Sequence, residues 1–368
     1  MTKINPAHMK LALRLAAKGA GWVSPNPMVG AVLVQEGRVV GRGFHRRAGA
    51  AHAEVAALEQ AGAAARGADL YVTLEPCNHQ GRTPPCTEAI LAAGVARVII
   101  ATPDPNPRVA GSGAQLLQSR GVTVEVGLLA KEARSLNQAW FHWLENGRPW
   151  VIAKAACSLD GKIATAGGQS QWLTGEPAQA WGHRLRHQVD AILVGIETVL
   201  HDDPQLTTRL PRGGQDPIRI ILDSTLRIPL ASRVLHLKSP APTWVACTNA
   251  APAEKIGALK KLGAEVLIFP GHSRDSGRVP LPDLMKLLGA RQVQSLLVEG
   301  GAEVLGSFFE QKLVNQFYFF FAPKFLGGRQ APGVLGGAGI VHLKDALEAR
   351  DLVIRRVGAD LLIKGYLG

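Results

Sequence analysis

The sequence predicts an α/β protein of two domains, and three observations support this prediction. Its 368 residues exceed the length of an ordinary single domain. Short apolar runs with strand character alternate with helical segments of about ten residues, which is typical of layered α/β domains. Turn-forming residues cluster near mid-chain in the run NGRP, so we predict one domain over residues 1–147 and another over 148–368.

The composition excludes several classes of protein. Hydrophobic residues make up 46% and charged residues 19%, which is the profile of a folded chain and not of a disordered one. No apolar run reaches the roughly 18 residues that a membrane helix needs. Residues 9–18 are interrupted by Arg14 and predict an amphipathic helix, not a secretory signal. We therefore expect a cytoplasmic protein with no membrane partner.

The net charge of +12 is distributed evenly along the chain. Residues 1–149 contain 16 basic and 10 acidic side chains, and the remainder contains 25 and 19, so each half carries +6. A nucleic-acid-binding protein usually concentrates its basic residues on one stripe or face. An even excess instead favours small phosphorylated ligands, which Arg and Lys bind efficiently, and we expect no nucleic-acid partner.

The first domain reads as a hairpin followed by alternating helices and strands. The run AVLVQEGRVVGRGF predicts two strands that turn at Glu36 and Gly37. The run AHAEVAALEQAG has helical spacing and ends at Gly62. Gly111 to Gly113 lack the third glycine of a dinucleotide fingerprint and are interpreted as loop. The remaining predicted elements are the strand DLYVTLEP, the helix CTEAILAAG, the strand ARVIIAT, the helix QLLQSRG and the strand VTVEVG.

The second domain begins a new succession of apolar strands. They are PWVIAKAACS, AILVG, IRIILD, TWVACT, AEVLIF, SLLVEGG and QFYFFFAPKFLG, the last being the longest. Helices are predicted over residues 176–187 and 303–311, and the run FLGGRQAPGVLGGAG is interpreted as loop. Cys157 and Cys247 end apolar runs and are expected to be ordinary buried residues of a reduced protein.

Four residues in the first domain form a candidate catalytic zinc site. His52 opens a helix, Cys77 follows a strand, and Cys86 precedes another helix. One imidazole and two thiolates suit tetrahedral Zn²⁺ with a fourth position left for water. Glu54 stands two residues from the histidine and could move protons at that water, as a zinc deaminase requires. Three alternatives stay open: a closed structural zinc site, a helix that carries His52 and Glu54 without a metal, and His79 as a fourth ligand.

Several motifs in this half resemble the pyrimidine deaminases of riboflavin biosynthesis. They are NPMVGAVLV, GFHRRAGAAHAE, YVTLEPC, ATPDPNPRVAGSG and above all EPCNHQGRTPPC, whose long insertion between the cysteines is characteristic of that family. The resemblance implies a cytidine-deaminase-like, three-layer α/β fold. It also implies that His52, Cys77 and Cys86 bind zinc and that Glu54 carries protons.

The same resemblance places Asn26 and His45 near the substrate. The substrate's phosphate could be bound by Arg46, Arg47 or Arg82, although each of these residues could equally be a solvated surface charge.

The second domain lacks the G-x-G-x-x-G fingerprint of a Rossmann nucleotide site. Instead, the run SLLVEGGAEVLGSFF places Glu299, Gly300 and Gly301 between a strand and a helix. Paired glycines let a phosphate approach the backbone at a helix N-terminus, although they also serve as a plain turn. Asp202 and Asp203 could clamp a divalent cation, or could simply cap a helix or lie in a loop.

The segments KAACSLDGKIA, GGQSQWLTG and LRHQVDAILVGIETVLHDDPQLTTR, taken with this turn, resemble the reductase half of bifunctional riboflavin biosynthesis proteins. That resemblance implies a dihydrofolate-reductase-like fold and NADPH as cofactor. The implied substrate contacts are Ser170, Arg186, Leu206, Arg209 and Glu299. The implied NADPH contacts are Ala156, Trp172, Thr198, Asp202, Ser224, Gly301, Ala302, Glu303, Val304, Leu305, Gly306 and Ser307. Lys154 and Asp202 are candidates for the polar groups beside the reacting ribose carbon.

Together these features predict a bifunctional enzyme that deaminates a phosphorylated diaminopyrimidinone and then reduces its ribosyl group. The resemblance also implies a homo-oligomer, dimeric or tetrameric. Two rival hypotheses remain: a deaminase acting on tRNA or single-stranded DNA, and a metal-stabilised scaffold without activity. The first requires clustered basic and aromatic residues, whereas aromatic residues make up only 5% of the chain.

Overall fold

A computed structural model describes residues 3–79, 84–106, 111–271 and 277–367. The chain divides into two compact units, Met1–Gly147 and Arg148–Gly368. Among the described residues, no helix has both the length and the apolar character needed to cross a membrane.

The first unit is a five-stranded sheet with helices on both faces. Its helices are α1 (Pro6–Ala16), α2 (Ala53–Ala61), α3 (Cys86–Ala92), α4 (Ser112–Ser119), α5 (Ala130–Leu136) and α6 (Gln138–Asn146). Its strands are β1 (Gly30–Gln35), β2 (Arg38–Phe44), β3 (Asp69–Val72), β4 (Arg97–Ile100) and β5 (Thr123–Val126). The strand order is β2-β1-β3-β4-β5; β1 is antiparallel to both neighbours, and β3, β4 and β5 run parallel.

Two apolar cores lie on opposite faces of this sheet, which confirms the three-layer prediction. One core packs α2, α3 and α4 against the sheet through residues such as Ala57, Ile90 and Leu117. The other packs α1 and α5 through Met9 and Ala133. Burial of these side chains is the main force that holds the layers together.

Most predicted elements of the first unit are confirmed. The hairpin turns at Glu36 and Gly37, and α2 ends at Gly62. The interpretation of Gly111 to Gly113 as loop is wrong for its last two residues, because α4 begins at Ser112. Helices α5 and α6 were not predicted. The predicted start of the first helix at residue 9 is too late, because the Asn5 side chain accepts a hydrogen bond from the N–H of Ala7 and α1 begins at Pro6.

The second unit is built on a nine-stranded sheet. Its strands are β6 (Trp150–Ser158), β7 (Ala191–Gly195), β8 (Ile218–Leu222), β9 (Thr243–Thr248), β10 (Glu265–Phe269), β11 (Ser295–Val298), β12 (Gln316–Ala322), β13 (Ala349–Val357) and β14 (Asp360–Leu367). Its helices are α7 (Glu176–Gln188), α8 (Ile196–Asp202), α9 (Ala253–Lys261), α10 (Leu281–Ala290) and α11 (Ala302–Glu310). The strand order is β10-β9-β8-β7-β11-β6-β12-β14-β13.

The strands from β10 to β12 run parallel, and the hairpin β13–β14 is added antiparallel to β12. Buried residues on the two faces form two further cores, as expected for a parallel sheet covered on both sides. Because all carboxyl ends of parallel strands point the same way, the loops that follow β6, β7, β8 and β11 gather at one edge.

All seven predicted strands of this unit exist, but some details of the prediction are wrong. QFYFFFAPKFLG is not the longest strand, because β12 ends at Ala322, before Pro323; β6 and β13 have nine residues each. The helices α8, α9 and α10 and the final hairpin were missed. In β13 all residues but Val357 are exposed, so the strand shows no alternation of buried and exposed positions.

Candidate metal centre and reductase site

Two helix starts and one loop bring together the predicted zinc ligands. His52 is the residue before α2, Cys86 is the first residue of α3, and Cys77 lies in the loop after β3. Gly43 of β2 allows α2 to sit this close to the sheet, because a Cβ there would lie 2.0 Å from the carbonyl oxygen of Ala53. Local packing therefore fixes where the histidine can lie.

The three ligand atoms have the spacing that a tetrahedral metal site requires. The Nδ1, Sγ and Sγ atoms of His52, Cys77 and Cys86 all lie within 4.8 Å of one another. The imidazole Nδ1 lies 3.1 Å from the Cys86 sulfur and 3.5 Å from the Cys77 sulfur. Ligands of tetrahedral zinc are separated by roughly 3.5–3.8 Å, so the arrangement fits Zn²⁺. His79 is exposed and does not belong to this group.

The environment of Cys77 favours a metal-binding thiolate. Hydrogen bonds from the Cys86 and His52 side chains lower the pKa of the Cys77 thiol to about 4, against the opposing effect of burial. The backbone N–H of Cys86 also donates to the Cys77 sulfur at 3.4 Å. The hydrogen bond with Cys77, together with burial, raises the pKa of the Cys86 thiol, since two adjacent thiolates repel each other in the absence of a cation.

Glu54 lies beside these residues and is almost completely buried. It lies in the first turn of α2, its exposed fraction is 3%, and its carboxyl group is hydrogen-bonded to the Cys86 side chain. Burial raises the pKa of Glu54 to about 7, with His52 opposing the shift. A carboxyl group of this kind can both take up and release a proton near neutral pH.

Asn26 and His45 form a hydrogen-bonded pair next to the cluster. The His45 ring lies edge-on to the His52 ring, with 5.5 Å between centroids. Its Nδ1 donates to the carbonyl of Ala51 at 3.1 Å, so its Nε2 accepts from the Asn26 amide at 3.0 Å. Burial lowers the pKa of His45, which keeps the ring neutral. Of the three candidate phosphate ligands, Arg46 and Arg47 are exposed and Arg82 lies outside the described residues.

Glu75 supports the loop that carries Cys77, and sequence analysis did not identify it. Its buried carboxylate accepts hydrogen bonds from the backbone N–H groups of Asp104, Gly111 and Ala114 at 3.0–3.3 Å. The contact with α4 is close, because a Cβ on Gly113 would lie 2.0 Å from the carbonyl oxygen of Pro76. The sequence feature that could have identified Glu75 is an acidic residue directly before the Pro-Cys pair.

In the second unit, the predicted residues Arg186 and Glu299 form a buried ion pair. Arg186 Nε and Nη2 each donate to one carboxylate oxygen of Glu299 at 2.9 Å, and Lys154 Nζ lies 3.8 Å from the same carboxylate. Burial alone would raise the pKa of Glu299, but Arg186 and Lys154 outweigh it and hold the pKa at about 2. These residues come from β6, α7 and the end of β11.

Arg209 is a further cationic residue of the predicted reductase site. Its Nη1 donates to the Thr207 hydroxyl at 3.3 Å. Burial lowers the pKa of Arg209, and the charges of Arg186 and Arg233 lower it further, against Glu299 and Asp216, which raise it. This is the electrostatic environment in which an anionic phosphate binds well. Leu206, by contrast, has a buried side chain, so a substrate would reach only its backbone.

Ser170 and Asp202 are brought together although they are far apart in sequence. The Ser170 hydroxyl donates to the Asp202 carboxylate at 3.2 Å, and the Gln171 amide does so at the same distance. The aromatic face of Trp172 is 65% exposed. Asp203 follows α8 and accepts a backbone hydrogen bond from Arg233, as a loop residue does.

A cavity of about 680 Å³ opens at the carboxyl ends of β7, β8 and β11. Of the positions with an implied NADPH contact, it is lined by Thr198, Ser224, Gly301, Ala302, Glu303, Val304 and Ser307. Leu305 lies instead in the core, and a Cβ on Gly306 would lie 2.2 Å from the Gly336 carbonyl oxygen. Ala156, Trp172 and Asp202 do not line this cavity.

Comparisons with known proteins agree with both halves. Residues 149–363 match the family model described as RibD C-terminal domain, and residues 2–102 match the cytidine and deoxycytidylate deaminase zinc-binding region. The riboflavin biosynthesis protein RibD of Aquifex aeolicus is 43% identical over 361 residues, covering 98% of each chain. The chain belongs to the RibD family.

Further relatives and solved structures extend this finding. The Escherichia coli RibD is 41% identical, with 97% of each chain covered. The structure of Acinetobacter baumannii RibD superposes with a TM-score of 0.88 at 35% identity, covering 99% of this chain and 98% of that one. A deaminase/reductase from Thermotoga maritima superposes with a TM-score of 0.84 at 32% identity, with 99% and 98% covered.

The family membership confirms the resemblance, the fold class and the function predicted from the sequence. The chain is a bifunctional deaminase and reductase of riboflavin biosynthesis, with a zinc-binding deaminase domain and an NADPH-dependent reductase domain. The roles of individual residues remain predictions.

Proposed function

We propose that residues 1–147 deaminate 2,5-diamino-6-ribosylamino-4(3H)-pyrimidinone 5′-phosphate, with His52, Cys77 and Cys86 as zinc ligands. The observation that carries this proposal is the group of three ligand atoms within 4.8 Å, with the buried Glu54 beside them. When bound, zinc supplies Lewis-acid chemistry that activates water at neutral pH.

Glu54 transfers protons in this reaction. Its carboxylate accepts one proton from the attacking water and passes it to the adjacent ring nitrogen. It then transfers the second proton, from the new C–OH group, to the departing amino group, so that the amine leaves as ammonia and its ring carbon becomes a carbonyl. Burial keeps bulk water from competing for these protons. The Asn26 amide orients the pyrimidine through its remaining hydrogen-bond groups, and the neutral His45, whose two ring nitrogens bond to Asn26 and Ala51, holds that amide in place next to His52. Arg46, Arg47 or Arg82 binds the substrate phosphate.

We propose that residues 148–368 reduce the ribosyl group of the deaminated product to ribityl with NADPH. The ring-opened sugar presents a C=N bond to the cofactor; hydride goes to the carbon, and the nitrogen takes up a proton. Substrate contacts are assigned to Ser170, Arg186, Leu206, Arg209 and Glu299. Lys154 and Asp202 lie nearest the reacting carbon in this proposal.

The buried pair of Arg186 and Glu299 gives the reductase site a rigid centre. The Nε and Nη2 atoms of Arg186 already donate to the Glu299 carboxylate. Arg209 therefore makes the main contact with the substrate phosphate. Lys154 sits 3.8 Å from the Glu299 carboxylate, which holds its ammonium group in place as a proton donor.

One coupled assay tests both proposals. Ammonia release and NADPH oxidation are followed together, with the diaminopyrimidinone phosphate as substrate. Glu54→Gln should reduce ammonia release by about 10³-fold yet leave reduction of pre-formed deaminated product intact. Arg186→Ala should do the reverse. Loss of both activities from one substitution in a folded protein would overturn the assignment of independent sites.

We also propose that the chain forms homo-oligomers through β13. This edge strand exposes Leu352, Val353 and Ile354, at 55%, 38% and 65% respectively, together with an unpaired line of backbone groups. Exposed apolar edge strands readily pair with a second copy. Leu352→Asp with Ile354→Asp should convert an oligomer to a monomer in sedimentation experiments, and an unchanged mass would contradict the proposal.

We place the protein in the cytoplasm. All four cysteines are free, and Cys77 and Cys86 must remain reduced to bind zinc. Fractionation of cells with an antibody against the chain tests this location.

A further inference from the structure

We propose that Arg227 and Arg278 bind the 2′-phosphate of NADPH and so select it over NADH. This inference rests on the proposed reductase function and adds a specificity site to it. Both arginines line the 680 Å³ cavity that also includes Gly301 and Ser224. Neither residue is among those that the sequence resemblance implied.

The glycine turn after β11 marks the place of the cofactor's pyrophosphate. Gly301 precedes the nine-residue helix α11, whose first N–H groups have no partner within the helix. A Cβ on Gly300 would lie 3.1 Å from the backbone nitrogen of Gly195, so the ends of β11 and β7 are closely packed there. The cavity continues from this turn to the end of β8, where Asp223 and Ser224 line it, so the adenosine half of the cofactor has room in that direction.

The end of β8 is folded into a turn that presents Arg227 to the cavity. The buried Asp223 accepts a hydrogen bond from the N–H of Ile228 at 2.7 Å, and its carbonyl accepts one from Leu226 at 3.1 Å. Strand β8 lies two strands from β11, or about 10 Å across the sheet. That separation suits the adenosine ribose, which is joined directly to the pyrophosphate.

Arg278 reaches the same wall of the cavity from a different segment. The N–H of its neighbour Val279 donates to the Ser224 hydroxyl at 3.3 Å, and the Ser224 carbonyl accepts from Thr248. Ser224 thus connects the end of β8 with the segment that carries Arg278. Arg227 and Arg278 therefore line the same cavity as Ser224, although they come from separate segments.

The ion pairs that Arg227 and Arg278 form in this structure are weak enough to be replaced by contacts with a phosphate. Arg227 pairs with Glu197, and Arg278 lies 3.6 Å from Glu303; all four side chains are at least 51% exposed. Such surface pairs contribute about 0–1 kcal/mol. A phosphate dianion accepts stronger, charge-assisted hydrogen bonds from a guanidinium. NADH would bring only a hydroxyl to this position and gain nothing from the two charges.

A binding experiment tests the assignment without turnover. Calorimetry with the full chain compares adenosine 2′,5′-bisphosphate with 5′-AMP as probes. The unaltered protein should prefer the bisphosphate. Arg227→Met and Arg278→Met should each weaken bisphosphate binding about tenfold, and the double variant about 100-fold, with 5′-AMP affinity unchanged. The ratio of kcat/KM for NADPH to that for NADH should fall in parallel.

Arg120→Met is the matched control, because it removes an exposed charge from the first unit. Lysine substitutions at 227 and 278 should restore part of the preference. If the variants keep the preference of the unaltered protein, the arginine assignment is wrong while the reductase proposal stands. If the unaltered protein binds neither nucleotide and oxidises no NADPH, the reductase proposal itself fails, and this inference with it.

Discussion

The deaminase centre and the reductase site are assembled in different ways. His52, Glu54, Cys77 and Cys86 lie within one short stretch of sequence, on two neighbouring helix starts and a loop. Lys154, Arg186 and Glu299 are spread over most of the second unit and meet only because β6 and β11 are adjacent in the sheet and α7 packs on it.

This difference determines how each site responds to substitution. The ligands of the first site depend on local packing, such as the close approach of α2 at Gly43. The second site depends on a buried ion pair, whose disruption leaves an uncompensated charge inside the protein. We therefore expect substitutions at the first site to remove activity with little effect on folding. Substitutions at the second site should lower both the activity and the stability of the fold.

The largest expected effect is at a zinc ligand. Cys86→Ala removes one of two thiolates, so bound zinc should fall below about one tenth of its original content and ammonia release by at least 10³-fold. Metal analysis and the ammonia assay measure these changes. Cys247→Ala, which alters another buried free cysteine, is the control and should retain both. Full zinc content with full activity would exclude Cys86 as a ligand.

The second largest effect distinguishes the two sites by their contribution to the free energy of unfolding. Glu299→Gln should lower reduction about 100-fold and the free energy of unfolding by about 3 kcal/mol, because Arg186 loses its buried counter-ion. Urea unfolding measures the second quantity. Glu265→Gln, whose pair with Arg291 is more exposed, should change it by less than about 1 kcal/mol. Equal effects of the two substitutions would contradict the expected difference between a buried and a more exposed ion pair.

The same variant predicts a dependence on pH. The pKa of Glu299 is lowered from its ordinary 4.5 to about 2, so its ion pair stabilises the folded state fully above about pH 4.5. The stability difference between the unaltered protein and Glu299→Gln should be constant from about pH 8 to 5. It should shrink as the pH falls from 4.5 toward 2. A difference that grows on acidification would contradict the assignment.

A smaller effect is expected at Glu75, which positions the Cys77 loop. Glu75→Gln places an amide N–H group against backbone donors, so ammonia release should fall about tenfold through kcat, with zinc content unchanged. Reduction should be unaffected. Glu88→Gln, an exposed position on α3, is the control. A change in KM alone would point instead to direct substrate contact.

The smallest effect is expected at Ser170. Its hydroxyl donates one hydrogen bond to Asp202, and both groups are reached by solvent. Ser170→Ala should therefore lower kcat/KM for reduction about three- to fivefold, without a change in ammonia release. Steady-state kinetics on both activities measure this, and Ser119→Ala on α4 serves as control. A loss of 100-fold would require a direct role in the chemistry.

The zinc site was predictable from sequence because its chemistry depends on residue type and short spacing. Glu75 and Gly113 were not identified, since their roles arise from contacts with segments 29 or more positions away. In the reductase, Arg186 and Glu299 were named through a family resemblance and not from physical reasoning. Nothing in the local sequence indicates that the two side chains pair.

The sequence by itself determined the alternation of strands and helices and predicted the domain boundary and the zinc ligands, because periodicity, turns and ligand chemistry are local properties. Only the tertiary structure decided the rest. The strand order brings Arg186 to Glu299, and the turn at Asp223 presents Arg227 to the same cavity as Arg278. Contacts between distant segments depend on which strands become neighbours, and the burial of the whole sheet, not any short motif, selects that order.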